Sequence, residues 1–183
     1  MIEIKIPKGS VLNPMLHATL MQRIEEICQT ANIQQLYVHR SAKDFCGEDE
    51  LLWLRDYEFL RSTGHGGLIL VGAPKPEERC QAITACLLRN EVDARITSLS
   101  SLLEAKEAIN ELPNPTVMVI PNLFVNTQGK PLTGWQIQRL YDLFLMRLTS
   151  NRPVVAYVES MGKLEDTYGS LFAEHLRSHF TLV

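Results

Sequence analysis

The sequence predicts an α/β fold with a mainly parallel sheet. Three observations carry that reading. Short apolar runs such as GLILV (67–71), TVMVI (116–120) and PVVAYV (153–158) show no polar alternation. Amphipathic stretches of about 12 to 15 residues separate them, and the two kinds of segment alternate from Gly67 onward. A strand without a polar side is buried on both faces, which calls for helices above and below a parallel sheet.

The elements follow in order. In MIEIKIPKGS the apolar residues alternate, so Ile2–Ile6 reads as a strand. A helix is expected over 14–30, with Leu16, Leu20, Ile24 and Ile27 forming its stripe. Ile33–Val38 reads as a second short strand. A change of character between Asp44 and Leu51 divides a strand–helix extension, 1–50, from the α/β core, 51–183. Glu48-Asp49-Glu50 reads as a solvated acidic turn before a helix carrying Trp53 and Tyr57. After Gly67–Val71 comes a helix over Glu77–Asn90, with Cys80, Ile83, Leu87 and Leu88 on one side. Ala94–Thr97 is a second core strand. Ser101 and Glu104 form a capping box that opens a helix to Leu112. Strand Thr116–Ile120 leads into the polar loop Phe124–Trp135. Thr133 and Gln136 make a further box, opening a helix with Ile137, Leu140, Tyr141, Phe144 and Leu148 on one face. Pro153–Val158 is a strand, Leu164–Arg177 one amphipathic helix, and Phe180–Val183 a last strand.

Composition bounds the function. The chain has 183 residues, 45% apolar and 21% charged, which suffices for one hydrophobic core. A formal charge of −3 and a pI near 6.0 leave no basic footprint, so any nucleic-acid contact is expected to be weak, local or indirect. No apolar run approaches the roughly 20 residues of a membrane span, and the N-terminus has no signal-peptide core, so a cytoplasmic location is expected. Cys28, Cys46, Cys80 and Cys86 show no CxxC and no zinc-finger spacing, and read as reduced structural thiols.

The first core strand runs into Gly72-Ala73-Pro74-Lys75-Pro76-Glu77-Glu78-Arg79. Strand, turn and helix occur in the order of a phosphate-binding loop, in which backbone N–H groups and a lysine hold the phosphates at a helix N-terminus. A G-x-x-x-x-G-K-[ST] match from Gly72 needs glycine at 77, lysine at 78 and a hydroxyl at 79. Glu77, Glu78 and Arg79 stand there instead. Two carboxylates answer the helix dipole and repel phosphate. Lys75 and Arg79 are the remaining cations, set beside two glutamates. Pro76 suits the first helical turn, where its missing N–H is not needed. After TVMVI, where a nucleotide hydrolase places acids for magnesium, Pro121 and Asn122 follow, and neither matches a carboxylate as a magnesium ligand.

Over residues 51–183 the chain resembles the DnaC/IstB-like branch of the AAA+ ATPases, the helicase loaders and transposition helpers. The resemblance is carried by GGLILVGAP, the helix Glu77–Asn90, DARITSLSSLLEA, NPTVMVIPNLFV, LFLMRLTSNRPVVAYVES and GSLFAEHLRS, in that order and spacing. It implies a P-loop NTPase-like three-layer sandwich with a five-stranded sheet in the order 5-1-4-3-2, and no helical lid. It implies a polar sensor position at Glu159 or Ser160. It also implies a place on the last helix where an arginine reaches a neighbour's nucleotide. His175 falls there, with Arg177 two residues on. Lysine, acidic pair and finger arginine are all missing, so the expectation is a pseudo-ATPase, not an enzyme, without cofactor. Its partner would be a protein: a replicative helicase, a transposition protein or an AAA+ relative. A structural subunit of secretion or conjugation machinery and an unrecognised nucleotide-binding enzyme are the alternatives. Oligomer formation stays open.

Other constellations are weaker. His175 and His179 stand four apart, as metal ligands on a helix do, but no third ligand accompanies them; a partner-facing pair is expected, with no metal. Cys80 lies near a helix start beside Glu77 and Glu78, whose field opposes thiolate. Trp53 and Tyr57 fit either core packing or a partner-binding anchor. Lys130, in the turn-rich loop at the carboxyl edge of the sheet, is a candidate contact for partner or nucleic acid.

Overall fold

The structure is a computed structural model that describes residues 18, 21–104, 114–124 and 132–183. The expected strand Ile2–Ile6, Leu16 and Leu20 of the first helix, residues 105–112 and Lys130 lie outside the described residues. The front part consists of α1 (Ile24–Ala31), α2 (Gln35–His39), a 3-10 turn at Ala42–Asp44, α3 (Glu48–Arg55) and α4 (Tyr57–Ser62). The core follows as β1 (Gly67–Val71), α5 (Pro76–Arg89), β2 (Ala94–Ile96), α6 (Leu99–Glu104), β3 (Val117–Ile120), α7 (Gly134–Thr149), β4 (Val154–Val158), α8 (Met161–Tyr168), α9 (Ser170–His179) and β5 (Phe180–Leu182).

The five strands form one sheet in the order β2-β3-β4-β1-β5, every neighbouring pair parallel. From the other edge this is the expected 5-1-4-3-2. The apolar runs explain it. Along β1, Leu68 and Leu70 point into one core cluster and Ile69 into the other, and all three are fully buried. The first cluster gathers Cys80, Ile83 and Leu87 of α5 with Tyr37, Trp53 and Tyr57 of the front helices. The second gathers Leu140 and Phe144 of α7 with Leu164, Phe172 and Leu176 of α8 and α9. The front helices thus share a core with the sheet. Truncating a packed aromatic such as Phe144 to alanine typically costs about 3–5 kcal/mol. Gly67 opens β1 at φ +141, and a Cβ there would stand 1.8 Å from the Val154 carbonyl oxygen, so only glycine lets β1 start beside β4.

At the amino edge of the sheet Arg147 is fully buried. Its Nη2 donates to the carbonyls of Pro115 (3.0 Å), Thr116 (3.2 Å) and Pro153 (3.2 Å), and Nη1 to Asn114 Oδ1 (2.7 Å). The guanidinium thereby joins the segments entering β3 and β4. Burial pushes it down to about 10.

Four expectations are corrected. Ile33–Val38 is no strand: Ile33, Tyr37 and Val38 are buried and Leu36 is 53% exposed, the pattern of one helical turn. The left-handed Asn32 ends α1 and turns the chain into it. The helix expected over Leu164–Arg177 is two helices, broken at Gly169. The helix assigned to a Ser101 cap starts earlier, because the Ser98 hydroxyl accepts the Ser101 N–H (3.1 Å). Glu50 is not solvated; it is 2% exposed. The Thr133–Gln136 box is present as expected.

Candidate functional site

The turn after β1 lies at the carboxyl edge of the sheet, where β1 and β4 end together. Gly72 N–H donates to the Val158 carbonyl (2.9 Å) and Val71 N–H to that of Val183 (2.6 Å). The backbone turns at Gly72, φ +62, and again at Lys75, φ +50, before Pro76 opens α5. Lys75 holds a left-handed conformation that an L side chain seldom adopts. Its ammonium reaches forward to Glu78 at 3.2 Å. Glu77 is exposed and Glu78 partly so, both in the first turn of α5. Negative charge therefore faces the positive end of the helix, where it is stabilising by about 0.3–1 kcal/mol. Arg79 bridges the turn and α3. Its Nε donates to the Pro74 carbonyl (3.0 Å) and its Nη1 to the carboxylate of Glu50 on α3. The positions that would present glycine, lysine and hydroxyl to phosphate present two acids and an arginine already engaged.

The neighbouring strand ends are occupied in the same way. After β3 the Asn122 side-chain oxygen accepts the Phe124 N–H (2.8 Å), so the residue at the acidic-pair position closes its own turn beside Pro121. After β4, Glu159 pairs with Lys163, and Ser160 accepts the Lys163 N–H (3.1 Å) as the cap of α8. Lys163 also lies over the Phe124 ring at 4.9 Å. Asn122, Glu159, Ser160 and Lys163 are thus used in local structure.

The other candidates are dispersed. His175 is buried on α9, its ring 5.5 Å from Tyr141 and stacked on His179 at 4.9 Å; Nε2 has no hydrogen-bond partner among the described residues. It packs inward and does not stand at a surface as a partner-facing residue would. Burial, then the neighbouring His179, lowers its pKa below the ordinary value. Arg177 is on the outside but turned to its own chain, 2.9 Å from Glu165 and 3.8 Å from Glu174. Trp53 and Tyr57 are core residues, 3% and 4% exposed, packed edge to face at 5.7 Å; they are not a surface anchor. The Cys80 and Cys46 thiols are each pushed up to about 12, chiefly by burial, which keeps them inert. Among the described residues no three histidine, cysteine or acidic side chains converge on a metal position. No described helix is long and apolar enough to cross a membrane.

The same layout occurs in proteins of known structure. A DnaC helicase loader superposes with a TM-score of 0.58 at 14% identity, over 81% of this chain and 98% of that one. AMPPCP-bound DnaA from Aquifex aeolicus matches with a TM-score of 0.57 at 12% identity, over 78% of this chain and 49% of that one. A DNA replication initiation factor gives 0.56 at 10% identity, over 82% and 50%. The fold is that of the AAA+ P-loop type. The chain spans about half the length of the two initiation proteins and nearly all of the loader. No protein-family model matches the sequence, and no curated protein does.

Glu50 is the site residue that sequence reasoning missed. Its position in an acidic triplet suggests solvent. The signal for the other reading is Gly47, three residues before it: a glutamate at the third helical position reaches back to the N-cap N–H. The Gly47 N–H does donate to Glu50.

Proposed function

We propose that this chain is a non-catalytic AAA+-like adaptor that binds a protein partner in DNA replication or a related process and neither binds nor hydrolyses ATP. The observation that carries the reading is the state of the turn after β1. Glu77 and Glu78 occupy the first turn of α5, and Arg79 is engaged by Pro74 and Glu50. An incoming triphosphate would meet two carboxylates in place of a glycine and a lysine, and an arginine in place of the hydroxyl. Asn122, at the end of β3, is a poor substitute for the acids that hold magnesium. The likeness to a DnaC helicase loader over nearly its whole length supports a loader-like role, with a replicative helicase or an AAA+ replication or transposition protein as partner.

The decisive experiment pairs calorimetry with a binding assay. Titration of millimolar ATP–magnesium is expected to give no heat and no shift in unfolding. A ligand at a hundred times its Kd would stabilise the fold by about 2.7 kcal/mol. Complex formation with the purified replicative helicase, followed by light scattering, is expected to be the same with and without ATP. A micromolar Kd for ATP would overturn the pseudo-ATPase reading. Absence of a complex with the helicase and with AAA+ initiator proteins would overturn the partner assignment.

A further inference from the structure

We infer that the Glu50–Arg79 ion pair stands in for nucleotide: it is the built-in group that fixes the turn after β1 and clamps the front helices to α5 in one arrangement. The inference rests on the proposed function, because a site that took up ATP would need no internal substitute.

Both partners are withdrawn from water, the Glu50 side chain 3% and the Arg79 side chain 19% exposed. Breaking such a pair strands a charge in the interior, so it constrains whatever it joins. Each end is held twice. One Glu50 oxygen receives Arg79 and the other the Gly47 N–H. A Cβ at position 47 would stand 2.7 Å from that second oxygen, so a side chain there would displace the carboxylate from its present position. Arg79 Nε in turn holds the Pro74 carbonyl, in the middle of the turn. One guanidinium therefore connects the turn, α5 and α3.

The register of Arg79 gives this arrangement its meaning. It stands where a phosphate-binding loop carries the hydroxyl that meets the metal. In nucleotide switches the phosphate orders nearby segments and its loss releases them. Here a cation of the chain itself holds a carbonyl of the turn, and a carboxylate 29 residues earlier completes the contact. The left-handed Lys75 lies between the two anchor points, and such a conformation persists where its surroundings over-determine it. The adaptor would then present one fixed face at all times, with no nucleotide-dependent state.

Hydrogen exchange on the full chain tests this. In the natural protein, amides of 42–62 and 72–79 are expected to exchange equally with and without millimolar ATP–magnesium. In Glu50→Ala both segments are expected to exchange at least about tenfold faster while β3 and β4 stay protected. Glu50→Gln, which keeps a neutral acceptor, should fall between. If Glu50→Ala fails to fold, the double variant E50L/R79L decides. Apolar replacement of a buried pair commonly preserves stability, yet here it frees the Pro74 carbonyl, so 72–75 should exchange faster in a folded protein. Protection of both segments in Glu50→Ala, or of 72–75 in the double variant, equal to that of the natural protein overturns the clamp and leaves the proposed function standing. ATP-dependent protection in the natural protein overturns the proposed function as well.

Discussion

The two edges of the sheet handle charge in opposite ways. At the carboxyl edge Lys75–Glu78 and Lys163–Glu159 are short-range surface pairs, their side chains 40% to 73% exposed. At the amino edge a single buried arginine, with no carboxylate partner among the described residues, holds three carbonyls and an amide. The fold keeps its stability at the edge away from the site. The site edge is finished with contacts that each contribute little, Glu50–Arg79 excepted. Local surface pairs can be exchanged one at a time, whereas the joint between β3 and β4 cannot be rebuilt by any one of them.

Substitutions at the two edges should therefore separate in size. Arg147→Met removes the donor shared by the carbonyls of Pro115, Thr116 and Pro153, of which Pro153 keeps the Met118 N–H, and each buried acceptor left unmet costs about 1–3 kcal/mol. A loss of about 3 kcal/mol or more is expected from urea unfolding, and a loss below about 1 kcal/mol would break the comparison.

The amino edge should also respond to acid. His65 and His175 are both lowered from the ordinary histidine value, by burial first and then by His179. The folded protein binds these protons less readily than the unfolded chain. Their contribution is thus fully present above about pH 6.5 and is lost as pH falls through the depressed folded values. Thermal midpoints measured from pH 8 to pH 5 should drop below 6.5, and His175→Phe should flatten part of the drop. An equal drop in that variant would remove His175 from the account.

Effects at the carboxyl edge should be smaller. The Tyr168 hydroxyl donates to the Leu123 carbonyl, and burial raises the phenol so that it keeps its proton. Tyr168→Phe is expected to cost about 1 kcal/mol in the same unfolding assay. Glu159→Gln, at an exposed pair, should change stability by less than about 1 kcal/mol. If Glu159→Gln rivals Arg147→Met, the carboxyl edge is not the tolerant one.

The strands were readable in the sequence because burial on both faces leaves continuous apolar runs, and Thr133 because its cap partner lies three residues away. What failed to show depends on distant neighbours. Glu50 looks solvated until Arg79 is brought beside it. His175 resembles a surface residue until Tyr141 and Phe180 cover it. Arg147 was visible in part: it follows Leu140, Leu143 and Phe144 at helical spacing and so falls on the buried stripe of α7. Its charge hides that placement, and its partners are carbonyls, which no sequence pattern marks. The strand–turn–helix order around Gly72 and the acids at 77 and 78 were legible, but the use made of Arg79 was not.

The place of β1 has a consequence for the order in which the molecule can be made. It is the first of the five strands to leave the ribosome, yet its neighbours are β4, from Val154, and β5, from Phe180, the last two to appear. Throughout synthesis GLILV waits with both backbone edges unpaired, an apolar segment of the kind that recruits the wrong strand. A strand paired on both sides in the finished sheet is thus the most exposed one in the nascent chain, and the yield of folded protein should depend on chaperones that cover residues 67–71 until β4 and β5 arrive.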